Sequence, residues 1–290
     1  MKAHWLSIFQ PPAGDGSQLV FDGVQEAETM VHGQLLSGGR EVARVTNGVV
    51  SFTRADNWDS DTINRFRKER LVERNWQSAV SRASQPPWAT FCDAMASGQG
   101  PILEVAAGPG GGNMPGILHR NADAMLLVND SSDGVLSLWQ QFFDEEGVGS
   151  NVCFAAFDAT KMPIAANAIA AISNVGGFGN IDIEGGPEMA VQEVSRVLRP
   201  GGRVYSFELT IPPEDLRNMP AELRRSLSHV PLAGGIGPTL EANGLSIEMR
   251  QVSYCRMADP EQDGIAKLAQ GHGVKLRLNS EVIRARKPDG

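Results

Sequence analysis

A cluster of glycines follows a short apolar segment near the middle of the chain. Residues 104–112 read EVAAGPGGG and come directly after Ile102 and Leu103. Glycine tolerates positive φ and lets a ligand approach bare backbone, and a helix starting after such a turn presents free N–H groups to an electronegative ligand. The turn therefore predicts a small-ligand site, although taken alone it also fits a tight strand-to-helix connection.

Two aspartates at later strand ends strengthen that prediction. Asp130 ends the next apolar strand, about 20 residues past the turn, and a carboxylate there can accept hydrogen bonds from both hydroxyls of a ribose. Asp158 ends the strand after that, where a carboxylate can bind an adenine amine while the N–H of Ala159 donates to the ring. Because ligands bind at the carboxyl edge of open α/β sheets, the three features together predict one nucleoside site.

The glycine pattern also excludes two common nucleotide sites. A strict G-x-G-x-x-G is absent, because Asn113 stands where the third glycine belongs, and no Gly-Lys-Ser/Thr follows. The turn is therefore expected to hold an adenosine with a short charged tail rather than a pyrophosphate.

The surrounding elements alternate in a way that can position these residues. Apolar strands are predicted near residues 102–106, 124–129, 152–157, 168–173 and 203–208, with helices between them and closing strands at 245–254 and 274–284. Such alternation indicates a doubly wound, mostly parallel α/β sheet. Residues 1–55 read as a small β segment that docks on the rest, and residues 56–98 as a helical linker or lid. Within the latter, Ile63, Phe66 and Trp76 recur at helical spacing and predict one helix from residue 56 to about residue 84, followed by a second over residues 90–96. The main domain is placed at 99–290, with a substrate-covering insertion at about 209–240.

Composition limits the class of protein. The chain has 290 residues, 41% hydrophobic and 21% charged, a net charge of -8 and no long apolar run. These values are typical of a globular protein without a transmembrane helix and disfavour a high-affinity binder of nucleic-acid backbones. Three scattered cysteines favour a reducing, cytoplasmic setting.

Three segments resemble, in order, motifs of the class I S-adenosylmethionine-dependent methyltransferases. They are EVAAGPGG at 104–111, DATKMPI at 158–164 and SRVLRPGGR at 195–203. The resemblance covers roughly residues 99–285. It implies a Rossmann-like, seven-stranded, mostly parallel sheet with a reversed last strand, and S-adenosylmethionine across the first strand ends.

The resemblance also implies roles for individual residues. Glu104 would hold the amino group of the cofactor, Gly108 and Gly110 would admit its methionine part, Asp130 would bind the ribose and Asp158 the adenine. The full set of expected cofactor-binding residues is Glu104, Ala106, Gly108, Gly110, Asp130, Ser131, Asp158, Ala159 and Asn174. At position 106 alanine stands where the family commonly has glycine, and it is expected to narrow the space through which the cofactor approaches the turn. Because Asn129 precedes Asp130, either of the two could be the residue that binds the ribose.

The amino-terminal segment has a weaker resemblance, to the zinc ribbons that precede some bacterial methyltransferases. Those ribbons hold zinc with four cysteines, but residues 1–91 contain none. The segment is therefore expected to be a degenerate, metal-free ribbon that depends on packing.

No catalytic base is assigned from the sequence. The fourth strand end lacks Asn-Pro-Pro-Tyr, which disfavours amine chemistry on DNA bases. His229 in the insertion, His119 at a helix end and Glu208 at the fifth strand end are candidates, each with a structural role as the alternative. An aromatic lid from Trp58, Phe66 and Trp76 competes with ordinary core packing.

The sequence thus predicts a cytoplasmic S-adenosylmethionine-dependent methyltransferase acting on a small molecule. An rRNA or tRNA methyltransferase, a non-catalytic binding module and a non-methylating enzyme of the same fold stay open as alternatives. The expected partner is a small-molecule substrate, with nucleic acid and membrane disfavoured and a homodimer left open.

Overall fold

The computed structural model describes residues 1–11, 18–53, 58–181, 183, 185–226, 235–261 and 264–290. The strands are β1 (Leu19–Glu26), β2 (Thr29–Ser37), β3 (Arg40–Thr46), β4 (Val49–Ser51), β5 (Ile102–Val105), β6 (Leu126–Asp130), β7 (Val152–Ala156), β8 (Ile169–Val175), β9 (Leu198–Thr210), β10 (Ser246–Met257) and β11 (Arg277–Arg286). The α-helices are α1 (Ser60–Lys68), α2 (Leu71–Arg82), α3 (Trp88–Ala96), α4 (Met114–Arg120), α5 (Asp133–Glu146), α6 (Gly186–Val197), α7 (Pro213–Asn218), α8 (Ala221–Ser226), α9 (Gly237–Ala242) and α10 (Gly264–Gly271).

Seven strands form the centre of the sheet, in the order β7-β6-β5-β8-β9-β11-β10. Strands β5 to β9 pair in parallel with one another, whereas β11 is antiparallel to both β9 and β10. The prediction of a doubly wound, mostly parallel sheet with a reversed last strand is confirmed. Because β6 and β8 flank β5 on opposite sides, the strand order switches there and opens a crevice at the carboxyl ends.

The amino-terminal strands extend this sheet. Strands β1 to β4 form an antiparallel meander, and β4 then pairs in parallel with β7, with Val50 opposite Ala155. The N–H of Phe52 continues the pairing by donating to the Ala156 carbonyl at 2.8 Å. The result is one eleven-stranded sheet over the described residues.

Each face of the sheet carries its own apolar core. On one side, here called the α6 face, buried side chains of α6 pack over the central strands; on the other, the α4 face, α4 and α5 do so together with α2 and α3. Side chains alternate between the faces along a strand, so Val204, Ser206 and Glu208 of β9 lie on the α6 face, whereas Tyr205 and Phe207 lie on the α4 face. The same alternation sorts the polar residues of the site.

The single helix expected over about residues 56–84 is wrong, because two helices occupy this region. Asp59 caps α1 by accepting a hydrogen bond from the Thr62 N–H at 2.7 Å. Between α1 and α2, Arg70 adopts the left-handed conformation with φ 49°. No glycine or proline marks this break, so the helical periodicity alone could not reveal it.

The described part of the region after β9 contains helices where the sequence predicts a substrate-covering insertion. Helices α7 and α8 follow Ile211 directly and share a small apolar core with α10 and the start of β11, formed by Ile211, Met219, Leu223, Ala269, Leu276 and Leu278. Helix α10 was not expected from the sequence, and the last strand begins at Arg277 rather than at Val274. Leu276 made residues 274–276 resemble a strand, but its side chain packs into this small core.

No helix in the described part of the chain combines the length and the apolar character needed to cross a membrane. Among the described residues, no group of three or more His, Cys, Asp and Glu side chains is placed to hold a metal ion.

Candidate functional site

The glycine-rich turn between β5 and α4 is closed on one side and open on the other. A Cβ on Gly112 would overlap Glu104 Oε1, and one on Gly111 would stand 2.7 Å from the Trp139 ring. A Cβ on Gly110 would meet no atom within 4 Å, and the nearest atom to one on Gly108 would be 3.9 Å away. The protein therefore backs the second half of the turn and leaves space in front of the first half.

Glu104 lies beneath this turn and is completely buried. Its Oε2 accepts a hydrogen bond from the Asn113 N–H at 3.1 Å, whereas its Oε1 has no hydrogen-bond partner in the described structure. Burial raises the pKa of the Glu104 carboxyl to about 7, against the opposing effects of hydrogen bonds and of the Arg82 charge. An unpartnered buried carboxylate oxygen is costly, so this atom suits a ligand that donates to it.

Asp130 connects the end of β6 to the turn. Its Oδ2 accepts the Gly108 N–H at 2.9 Å, and its Oδ1 accepts the Ser132 N–H at 2.9 Å, across Ser131. The neighbouring Asn129 is buried, and its amide group bonds to backbone atoms, including the Phe157 carbonyl at 2.9 Å. Asn129 thus has a structural role inside the sheet, and Asp130 is the acidic residue that contacts the turn.

Asp158 follows β7 at the same edge of the sheet and is exposed. Its Oδ1 accepts hydrogen bonds from the N–H and the hydroxyl of Thr160, at 2.8 and 2.7 Å, which fixes a turn that holds Ala159 against the core. The carboxyl ends of β5, β6 and β7 thus bring Glu104, Asp130 and Asp158 to one edge.

Ala106 occupies the position where the sequence suggested a narrowed approach. It has a φ of 50°, which a side chain disfavours. Its Cβ lies 2.7 Å from where a Cβ on Gly177 would stand, so Gly177 leaves room for it. The turn after β8 is thereby seated directly against the glycine-rich turn.

Helix α2 holds the glycine-rich turn from outside, which sequence reasoning missed. Asn75 Nδ2 donates to the Pro109 carbonyl at 2.9 Å, and Arg82 Nη2 donates to the Gly112 carbonyl at 3.0 Å. The Arg82 guanidinium also lies 4.4 Å over the Trp88 ring, which stacks on Phe207 at 3.4 Å. The spacing of seven residues puts Asn75 and Arg82 on one helical face, but nothing in the sequence says what that face contacts.

The expected aromatic lid is not assembled as one unit. Trp58 packs edge-on against Phe66 at 5.3 Å, whereas Trp76 packs against Phe142 and Phe143 of α5. The Trp76 contacts pack α2 against α5, whereas Trp58 is exposed and covers Phe66 of the adjoining helix α1.

A second polar cluster lies on the α6 face at the carboxyl ends of β8 and β9. Asn174 is fully buried; its Nδ2 donates to Ser206 Oγ at 2.9 Å and to Glu208 Oε1, and its Oδ1 accepts the Phe178 N–H at 3.1 Å. Asn174 was expected from the sequence to line the cofactor site, and it forms the centre of this cluster. Of the two histidines considered as bases, His119 lies in the last turn of α4, and His229 lies outside the described residues.

Residues 105–206 match the family model described as a methyltransferase domain. The matched region runs from the end of β5 into β9 and so contains the glycine-rich turn and the ends of β6, β7 and β8. A ubiquinone/menaquinone biosynthesis C-methyltransferase of Azotobacter vinelandii is 29% identical over 174 residues, which cover 60% of this chain and 65% of that protein. The chain spans from 44% to 65% of the length of the first curated relatives that it matches.

Solved structures share the fold of this chain. A methyltransferase structure from Bacillus halodurans has a TM-score of 0.52 and 19% identity, covering 69% of this chain and 98% of the other. The geranyl diphosphate C-methyltransferase of Streptomyces coelicolor, bound to Mg²⁺, a substrate analogue and S-adenosylhomocysteine, has a TM-score of 0.50 and 15% identity, covering 69% and 74%. At these identities the likeness concerns the fold.

Proposed function

We propose that this protein binds S-adenosylmethionine at the carboxyl edge of β5, β6 and β7 and transfers its methyl group to a small molecule. The observation that carries the proposal is the glycine-rich turn, closed behind by Glu104 and open in front, with Asp130 bonded to its Gly108 N–H. The match of residues 105–206 to a methyltransferase domain supports this assignment.

Each proposed contact uses an atom whose chemistry suits the cofactor. The unpartnered Oε1 of Glu104 would accept from the amino group. The open space at Gly108 and Gly110, beside Ala106, would take the methionine part. At the adenosine end of the cofactor, Asp130 with Ser131 would bind the ribose, and Asp158 with Ala159 would bind the adenine. Asn174 would line the side of the site that faces the acceptor.

When bound, the cofactor supplies an electrophilic methyl group on a sulfonium. The protein's task is then to align the acceptor in line with that methyl group and to exclude water. The segment at 209–240 is proposed to cover the acceptor, because it follows β9 at this edge of the sheet.

For the acceptor, we propose a small organic molecule, with carbon as the favoured methylated atom. The relatives named above are C-methyltransferases of a quinone pathway and of a prenyl diphosphate. The net charge of -8 makes a nucleic-acid acceptor the weaker choice.

Calorimetric titration with S-adenosylhomocysteine tests cofactor binding directly. The proposal expects saturable one-to-one binding; no heat of binding at millimolar ligand would overturn it.

A glycine pair makes the test specific to the turn. Gly110→Ala is expected to weaken S-adenosylhomocysteine binding at least tenfold without destabilising the fold, because its new methyl group would enter the space in front of the turn. Gly271→Ala is the matched control, since a Cβ there also meets nothing within 4 Å but lies at the end of α10. Equal affinities for both variants would place the cofactor elsewhere.

A further inference from the structure

Two polar clusters lie back to back across β8. Ser173 faces the α4 face and accepts a hydrogen bond from Asn113 Nδ2 at 3.0 Å, beside Glu104. The next residue, Asn174, faces the α6 face and bonds to Glu208. Glu208, on β9, is therefore two strands away from β5 and its glycine-rich turn, and it lies on the opposite side of the sheet from Glu104.

Glu208 faces a second buried carboxylate. In the antiparallel pairing of β9 with β11, Glu208 lies opposite Glu281, and side chains so paired stand about 5 Å apart at Cβ. Both residues are 6% exposed. Arg250 of β10 neutralises Glu281 by donating from Nε to Oε1 at 2.8 Å, but Glu281 Oε2 is buried and has no hydrogen-bond partner in the described structure.

The turn after β8 links this pair to the edge of the sheet that carries the glycine-rich turn. Gly177 lies against Ala106 and the Val105 carbonyl, so residues 176–179 connect the two clusters. A Cβ on Gly179 would stand 3.3 Å from Glu208 Oε2, so the absence of a side chain at Gly179 lets the backbone of this turn lie beside the oxygen.

We propose that Glu208 is the general base of the methyl-transfer site and that Glu281 tunes it; this rests on the proposed function above. The acceptor would be a phenol, an enol or a carbon acid, whose proton passes to Glu208 Oε2. The freed electron pair forms the bond to the methyl carbon, and the pair of the sulfur–methyl bond returns to sulfur. The products are the methylated acceptor, S-adenosylhomocysteine and a protonated Glu208 that releases its proton to solvent.

The charges around Glu208 suit this role. Burial and, to a smaller extent, the charge of Glu281 raise the pKa of the Glu208 carboxyl to about 7, while hydrogen bonds from Asn174, Ser206 and the Gly179 N–H oppose the rise. Arg250 faces the same group from β10 through Glu281. A base that titrates near neutral pH is well matched to accepting and then releasing a proton.

Proton release on ligand binding tests the proposal without a known acceptor. A sulfonium next to Glu208 stabilises its carboxylate, whereas the neutral sulfur of S-adenosylhomocysteine does not. Calorimetry in buffers of different ionisation enthalpy should therefore show, at pH 7, that S-adenosylmethionine releases more protons than S-adenosylhomocysteine, by up to about half a proton. Both ligands carry the same amino group, so any contribution from Glu104 cancels in this difference.

Two variants assign the difference to the pair. Glu208→Gln should abolish it while still binding both ligands. Glu281→Gln, which keeps Glu208 but removes the neighbouring charge, should retain it and move its pH maximum downward. Circular dichroism checks that both variants fold.

Each outcome separates the two proposals. If the unmodified protein binds neither ligand, the proposed function falls and this inference with it. If it binds both with equal proton release, or if the difference persists in Glu208→Gln, Glu208 does not face the sulfonium and only this inference is overturned. An unshifted pH maximum in Glu281→Gln removes the tuning role of Glu281.

Discussion

Ala106 combines a small side chain with a backbone conformation that favours glycine. A left-handed conformation costs an L-residue about 1–2 kcal/mol, whereas glycine loses about 0.5–1 kcal/mol more entropy on folding than alanine. Ala106→Gly is therefore expected to raise the free energy of unfolding by about 0.5–1 kcal/mol, measured by urea denaturation. Ala107→Gly carries the entropic cost without any relief of strain and also loses a buried methyl group, so it should lower the free energy of unfolding by about 1–2 kcal/mol. A loss of stability in Ala106→Gly would show that its side-chain contact with the turn after β8 outweighs the strain.

Glu104 and Glu208 also determine how stability depends on pH. Burial raises the pKa of each carboxyl from 4.5 to about 7, so the folded state holds more protons than the unfolded state between these values. Their contribution to stability is present below about pH 4.5 and is lost as the pH rises through about 7. The free energy of unfolding should thus decline between pH 5 and 8 on account of these groups, and Glu208→Gln should flatten the decline. An identical pH profile in the variant would contradict the raised pKa.

Glu104 and Glu281 differ in how far the sequence alone can indicate them. Glu104, Asp130 and the glycines are recognisable because a strand, a turn and a helix follow one another locally. Glu281 is not, since its position opposite Glu208 depends on the register of β9 against β11, more than 70 residues apart.

Among the secondary-structure elements, α2 contacts the glycine-rich turn through the helix face that carries Asn75 and Arg82. Asn75→Ala removes the hydrogen bond to the Pro109 carbonyl, so part of the ordering of the turn must be supplied on binding. The loss of about 1 kcal/mol predicts roughly fivefold weaker S-adenosylhomocysteine binding by calorimetry. Arg74→Ala is the control, because Arg74 is exposed on the same helix and pairs only with Glu69 among the contacts described for it. Equal affinity in both variants would reduce α2 to a packing element.

The helical region was also the hardest to predict. The periodicity of Ile63, Phe66 and Trp76 indicated helix correctly, but the break at Arg70 carries no glycine or proline signal. That break separates α1 from the helix that reaches the turn, so the sequence could show helices without showing which of them touches the site.

At the scale of the whole molecule, β4 joins the amino-terminal strands to the seven central strands. Val50 is fully buried at this junction, opposite Ala155. Val50→Ala should lower the free energy of unfolding by about 2 kcal/mol. Tryptophan fluorescence and far-ultraviolet circular dichroism should report one shared transition, because the strands on both sides belong to one sheet. Val20→Ala, at a position 59% exposed on β1, is the control and should change stability little.

If Val50→Ala or Val20→Ala unfolded in two separate transitions, the meander of β1 to β4 would unfold independently of the central strands. The alternation of strands and helices in the sequence predicts the seven central strands, but the parallel pairing of β4 with β7 joins segments about 100 residues apart. Local sequence patterns do not indicate a pairing over that separation, so it could not be predicted from the sequence.

The same pairing moves the free edge of the sheet. Strand β7 is bordered on both sides, by β6 and β4, so the described sheet ends at β1 and at β10. Neighbouring strands lie about 4.8 Å apart, which puts β1 roughly 19 Å beyond β7. A second polypeptide that added a strand to β1 would therefore assemble at a distance from the proposed cofactor site at the carboxyl ends of β5, β6 and β7. Association at β1 would leave that site unobstructed.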